Sequence, residues 1–121
     1  MNAFDSYQEW TRTTAVYSNH TYPMLGLAEE VGELLGKFAK FERDVVDNYA
    51  AARELTEGVS YGAARDKLIA DITKEAGDVL WQLARLLDDH NISLGSVAAL
   101  NIAKLESRKH RGTINGSGDG R

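Results

Sequence analysis

The chain is predicted to be all-α, a bundle of four to five helices. Three observations predict it. A single proline interrupts 121 residues. Apolar residues recur at the three- and four-residue spacing of a helix face through most of the length. The stretches between are short and polar or carry glycine, the punctuation expected of helix–helix connections. At this length the chain is one domain, long enough to bury a core but close to the size where assembly helps.

The first amphipathic segment runs from about Phe4 to Tyr17, with Tyr7, Trp10 and Thr14 along one side. Ser18 to Pro23 breaks it, and Pro23 suits the first turn of a second helix. That helix carries an apolar stripe of Leu27, Val31, Leu34, Leu35, Phe38 and Phe41. At about 100° per residue, Glu30, Glu33 and Lys37 fall together on the flank of the stripe, while Glu29 points away. Between Asp44 and Tyr61 the pattern is ambiguous: Tyr49 to Leu55 suits a short helix, and Gly58 and Gly62 bracket a turn. The helical pattern returns from Ala63 to His90, with Leu68, Ile72, Ala76, Val79, Leu83 and Leu86 inward. Asp71, Glu75, Asp78 and Gln82 share one flank of it. Asn91 then suits a C-cap and Ser93 an N-cap for a last helix from Leu94 to about His110. Asn101, Lys104, Arg108 and Arg111 follow one another along its surface, and Gly112 to Arg121 forms a glycine-rich tail.

Composition narrows the function. The chain has no cysteine, which excludes disulfides and thiolate metal sites. A net charge of −4 argues against general nucleic-acid binding. No apolar run approaches the roughly 20 residues that span a bilayer, and no basic, apolar leader opens the chain, so the expectation is a soluble cytoplasmic protein without a membrane partner.

Chemistry concentrates in two carboxylate pairs, Glu30-Val31-Gly32-Glu33 and Glu75-Ala76-Gly77-Asp78. Each pair is spaced i, i+3, so its two members project to one side of a helix. Four carboxylates converging between helices repel one another and are costly to desolvate unless a cation joins them. All-oxygen ligation suits Mg2+ or Mn2+. A carboxylate-bridged di-iron bundle would instead want Glu-x-x-His pairs, and no Glu here is followed by His three residues later.

The run Tyr22-Pro23-Met24-Leu25-Gly26-Leu27 leading into Glu30-x-x-Glu33, followed by Glu75-x-x-Asp78-Val79-Leu80-Trp81, resembles the MazG-type nucleoside triphosphate pyrophosphohydrolases. Asn101 to Ile114 extends the resemblance, as does the tail Gly116-Ser117-Gly118-Asp119-Gly120-Arg121. It covers about residues 20–43 and 70–121 and divides the chain into a helical catalytic domain, 1–111, and a tail, 112–121. Residues 44–61 look like an insertion, and Gly120 stands where relatives often carry a bulkier polar residue. The resemblance implies a helical bundle completed by dimerisation, as a homodimer or homotetramer, with active sites beside the interface. It implies hydrolysis of a (deoxy)nucleoside triphosphate to the monophosphate and diphosphate. Glu30, Glu33, Glu75 and Asp78 would hold Mg2+, with Mn2+ able to substitute, and one of the four, Glu33 for choice, would act as base. Lys37, Asn101, Lys104, Arg108 and Trp81 are the candidate substrate contacts.

Each candidate has a plainer reading. The carboxylates can be solvated helix faces, Lys37 can pair with Glu33 at i, i+4, and Lys104 and Arg108 can complement a helix C-terminus. Trp10 and Trp81 are aromatics at helical spacing, which usually serve core or interface. His20, His90 and His110 lie at predicted helix ends and form no ligand pair. The alternative to an enzyme is a non-catalytic nucleotide-binding or dimerisation module that keeps the acidic motifs.

Overall fold

A computed structural model describes residues 2–47 and 60–120. Among these residues the chain is all helix and has no strand: α1 spans Ala3–Thr11, α2 Thr21–Phe41, α3 Tyr61–Asp89 and α4 Leu94–Arg111. A 3-10 turn, Arg12–Thr14, follows α1, and a π-type turn, Glu42–Val46, follows α2. The predicted short helix at Tyr49 to Leu55, and most of the supposed insertion, lie outside the described residues.

The helix starts follow from local chemistry. Asn2, Ser60 and Ser93 each accept a hydrogen bond from the backbone N–H three residues on, which satisfies one of the unpaired amides of α1, α3 and α4. Asn19 Oδ1 accepts from Thr21 N–H at 2.9 Å where α2 begins, and Pro23 sits in its first turn. Asn91 takes a positive φ of 57° in the tight connection after α3.

Helices α2 and α3 pack antiparallel. Phe41 meets Tyr61 edge to face at 5.9 Å, Lys37 reaches Glu75, and Gly26 lies against Gln82. A Cβ on Gly26 would fall 2.5 Å from Gln82 Nε2, so glycine here leaves the space that the buried Gln82 amide fills. The far end of the bundle is tied by polar groups. Gln8 of α1 donates to the carbonyls of Ala84 (3.2 Å) and Ile92 (2.9 Å) and accepts from Leu94 N–H (2.9 Å). One buried amide thus closes the α3–α4 corner. Beside it, Arg85 donates to Asp88 (2.7 Å), Asp89 (3.0 Å) and Tyr17 Oη (3.0 Å), and Arg12 grips Asp88 through two donors.

The apolar core is small. Among the described residues Leu68, Ala84 and Leu94 are its buried hydrophobic members, with Thr11 and Pro23 fully enclosed. Of the stripe expected to face inward on α2, Leu27, Leu34 and Phe41 are half-buried, whereas Val31, Leu35 and Phe38 are exposed. On α3, Ile72, Val79, Leu83 and Leu86 are half-buried and Ala76 is exposed. The stripe is wider than one neighbouring helix can cover. Among the described residues no helix is long and apolar enough to cross a membrane.

Candidate active site

The antiparallel packing of α2 on α3 brings the two acidic motifs together. Glu30, Glu33 and Glu75 each place one carboxylate oxygen within 4.8 Å of the others. Asp78 does not share that cluster. It lies on the α1 side, where its charge acts on both Glu30 and the Tyr7 hydroxyl. Partial burial and the charges of Asp78, Glu33, Glu29 and Glu75 together raise the pKa of Glu30 above the ordinary glutamate range. Tyr7 is likewise raised, first by burial and then by Asp78.

Among the described residues the cation paired with the cluster is Lys37, whose ammonium stands 3.5 Å from Glu75. This cross-helix pair replaces the i, i+4 pairing with Glu33 that the sequence allows. Among the described residues, one paired lysine against four carboxylates leaves a net negative patch. Oxygens separated by up to 4.8 Å are close to the roughly 4.2 Å that spans a Mg2+ ion between opposite ligands, so the donor set suits a small divalent cation after slight contraction.

One turn past Asp78, Trp81 forms a wall of an aromatic notch that the sequence reading did not assemble. Its Nε1 donates to Thr14 Oγ1 at 2.8 Å. Tyr17 meets the indole edge-on at 6.3 Å and stacks on Tyr22 at 5.3 Å. With Val16 and Asn19 these side chains line an open cavity of about 520 Å3. Tyr17 is held in turn by Arg85 and Asp89. The signal available in the sequence was the pair Tyr17 and Tyr22, just before and within the Ser18–Pro23 break, which periodicity alone does not connect to Trp81.

The candidate cations of α4 have other partners. Lys104 and Arg108 both face Asp119 of the tail, at 3.6 and 3.1 Å, and hold its carboxyl below the ordinary aspartate range, chiefly through the Arg108 hydrogen bond. Asn101 is exposed and, with Lys104, Leu94 and Val97, lines a shallow cavity on α4.

Comparison with known proteins places the chain in a family. The chain is 35% identical, over 97% of both chains, to the Gene 37 protein of Mycobacterium phage L5. No solved structure matches it. The model of the MazG nucleotide pyrophosphohydrolase domain matches residues 18–112, from the loop before α2 to the end of α4, and the chain belongs to that family.

Proposed function

We propose that the chain is a Mg2+-dependent nucleoside triphosphate pyrophosphohydrolase, converting a (deoxy)nucleoside triphosphate and water to the monophosphate and diphosphate. The observation that carries the reading is the convergence of Glu30, Glu33 and Glu75 beside Asp78, in a site where burial and then neighbouring negative charge raise Glu30 and where Lys37 pairs with Glu75. Family membership supports the reaction class.

In this reading Glu30, Glu33, Glu75 and Asp78 hold Mg2+, and Mn2+ can take its place. The bound ion supplies Lewis acidity, offsetting phosphate charge and lowering the pKa of a water nucleophile. The chain's own groups do the rest. Glu33, the exposed member of the cluster, accepts the proton from the attacking water. Lys37, tethered to Glu75, offers its ammonium to phosphate oxygens at the edge of the site. The notch of Trp81, Tyr17 and Tyr22 seats the base, because stacking faces favour a flat heterocycle of any identity. Lys104, Arg108 and Asn101 provide further phosphate or sugar contacts, and the site is completed by a second copy of the chain in a homodimer or homotetramer.

The test is a panel of NTPs and dNTPs incubated with the protein and Mg2+, with nucleotide products resolved by chromatography. Monophosphate and pyrophosphate are expected, with deoxynucleotides preferred. EDTA should abolish turnover, and Glu75→Ala should lower it by at least about 100-fold, the scale on which loss of one electrostatic group in a site is felt. Diphosphate and orthophosphate as products would overturn the reaction. A folded chain that binds Mg2+ and turns over nothing would make it a binding module instead.

A further inference from the structure

The C-terminal tail folds back onto α4 and sets a carboxylate on two of the cations assigned to phosphate. Gly112, at φ +70°, closes α4 in the left-handed conformation. Thr113 N–H then bonds the Arg108 carbonyl at 2.9 Å and Gly112 N–H the Lys109 carbonyl at 3.2 Å. Gly118, at φ +81°, turns the chain again. Asp119 arrives beside the helix, where Arg108 Nη2 donates to its Oδ1 (3.1 Å), to its carbonyl (3.2 Å) and to the Gly118 carbonyl (3.4 Å). Lys104 Nζ stands 3.6 Å from the same Oδ1.

The seat is built and its occupant is not. The Arg108 side chain is 5% exposed, against 90% for Asp119. Its hydrogen bonds to the described residues leave from Nη2, while Nε, on the same edge of the guanidinium, is buried and has no acceptor among the described residues. Arg12 shows the full use of that edge: its Nε and Nη2 engage both oxygens of Asp88 at 2.9 and 2.8 Å. A buried donor left unanswered is unfavourable, and a two-oxygen anion can answer both halves of the fork at once. Lys104, at 3.6 Å, holds the same oxygen only loosely, and its ammonium can turn to a larger anion. A polyphosphate group carries more charge than one carboxylate and has oxygens spaced to reach the fork and the ammonium together.

We infer that Lys104 and Arg108 form a polyphosphate seat whose resident occupant is the chain's own Asp119, so that the tail competes with the incoming anion and is released when it binds. The inference rests on the proposed reading of Lys104 and Arg108 as phosphate ligands and adds the tail as their gate. Because the tail is tied by contacts at a largely exposed carboxylate, its hold in water is weak and reversible.

The test uses the full-length chain in EDTA, so that the carboxylate site takes no metal, with inorganic pyrophosphate as the probe. Calorimetric titration measures affinity, and amide hydrogen exchange follows residues 113–120. Pyrophosphate should accelerate exchange in the tail of the wild type. Asp119→Ala should tighten pyrophosphate binding by about tenfold, the factor gained when a competitor that fills a site nine-tenths of the time is removed. Lys104→Gln, at an exposed position, should weaken it without affecting the fold, as should Arg108→Lys, which keeps the charge and loses the fork. Unchanged affinity in Asp119→Ala, or a tail whose exchange ignores pyrophosphate, would overturn the inference. Tail release by pyrophosphate in a chain that hydrolyses no nucleotide would uphold the seat and sink the proposed reaction. Turnover with a tail that never moves would do the reverse.

Discussion

Glu30 shows at the scale of one residue how the site trades stability for chemistry. Its pKa is raised by partial burial and by Asp78, Glu33, Glu29 and Glu75, so the folded chain binds its proton more tightly than the unfolded chain does. The stability linked to that proton is complete below the ordinary glutamate value of 4.5 and is lost as pH rises through the folded value. At neutral pH the ionised group is therefore a burden that a divalent cation relieves. Glu30→Gln should raise the melting temperature in EDTA at pH 7, because relief of even one like-charge pair stabilises by about 0.2–0.5 kcal/mol. On the scale for small domains that is about 1–4 °C. The same variant should lose the stabilisation that MgCl2 confers on the wild type and should lose turnover. Thermal denaturation with and without Mg2+ reads both effects. A lower melting temperature for Glu30→Gln in EDTA would mean that Glu30 is a structural ligand of the protein itself and not a strained member of a cation site.

At the scale of elements, the corner joining α1, α3 and α4 depends on buried polar groups where a larger protein would use apolar ones. Arg85 is 6% exposed and is paired with Asp88 and Asp89, so Arg85→Ala leaves Asp89 without its ion pair and Asp88 with Arg12 alone. It should destabilise the chain by about 3–5 kcal/mol in urea unfolding, the cost of breaking a buried ion pair. Acid should act on the same contact. The Asp88 pKa is depressed, by the Arg12 hydrogen bond first, so its contribution is present above the ordinary value of 3.8 and disappears as pH falls through the folded value. The urea midpoint should then drop steeply below about pH 4 in the wild type. The drop should be shallower in Arg12→Ala, which has less to lose. These elements were unevenly legible in the sequence. Ser93 marks the start of α4, because capping chemistry is local, whereas its end, expected at about His110, falls at Arg111 with Gly112 as the cap. The end of α1 was not legible: the spacing of Tyr7, Trp10 and Thr14 suggests a helix to Tyr17, yet α1 stops at Thr11. Thr11, Thr13 and Thr14 each turn a hydroxyl back to the carbonyl three residues earlier, at 2.6, 2.8 and 3.0 Å, in the segment that tightens into a 3-10 turn. The acidic pairs could be read because i, i+3 spacing is a property of one helix. The Lys37–Glu75 pair, the notch of Trp81 with Thr14 and the return of Asp119 to Arg108 could not, since each joins segments whose meeting no period encodes.

At the scale of the whole molecule, several large apolar side chains of the described residues stand exposed on helix faces. Leu35 is 59% and Phe38 42% exposed on α2, and Leu100 is 71% and Ile102 62% exposed on α4. Patches of this kind on a soluble chain mark contact surfaces. Val31, Leu35 and Phe38 recur at i, i+4 and i+7, on the same helix as Glu30, Glu33 and Lys37, so a partner docked there would border the carboxylates. The proposed dimer or tetramer should therefore appear in sedimentation equilibrium at micromolar concentration. Leu35→Glu should dissociate it, because a charge buried unpaired in an interface costs far more than the surface contact it replaces. If the site is completed by the second chain, that variant should lose turnover in proportion to its loss of association, although every metal ligand remains. Raising its concentration until it re-associates should restore the rate. A monomer that turns over nucleotide at the wild-type rate would show instead that one chain suffices and that the apolar face serves another partner.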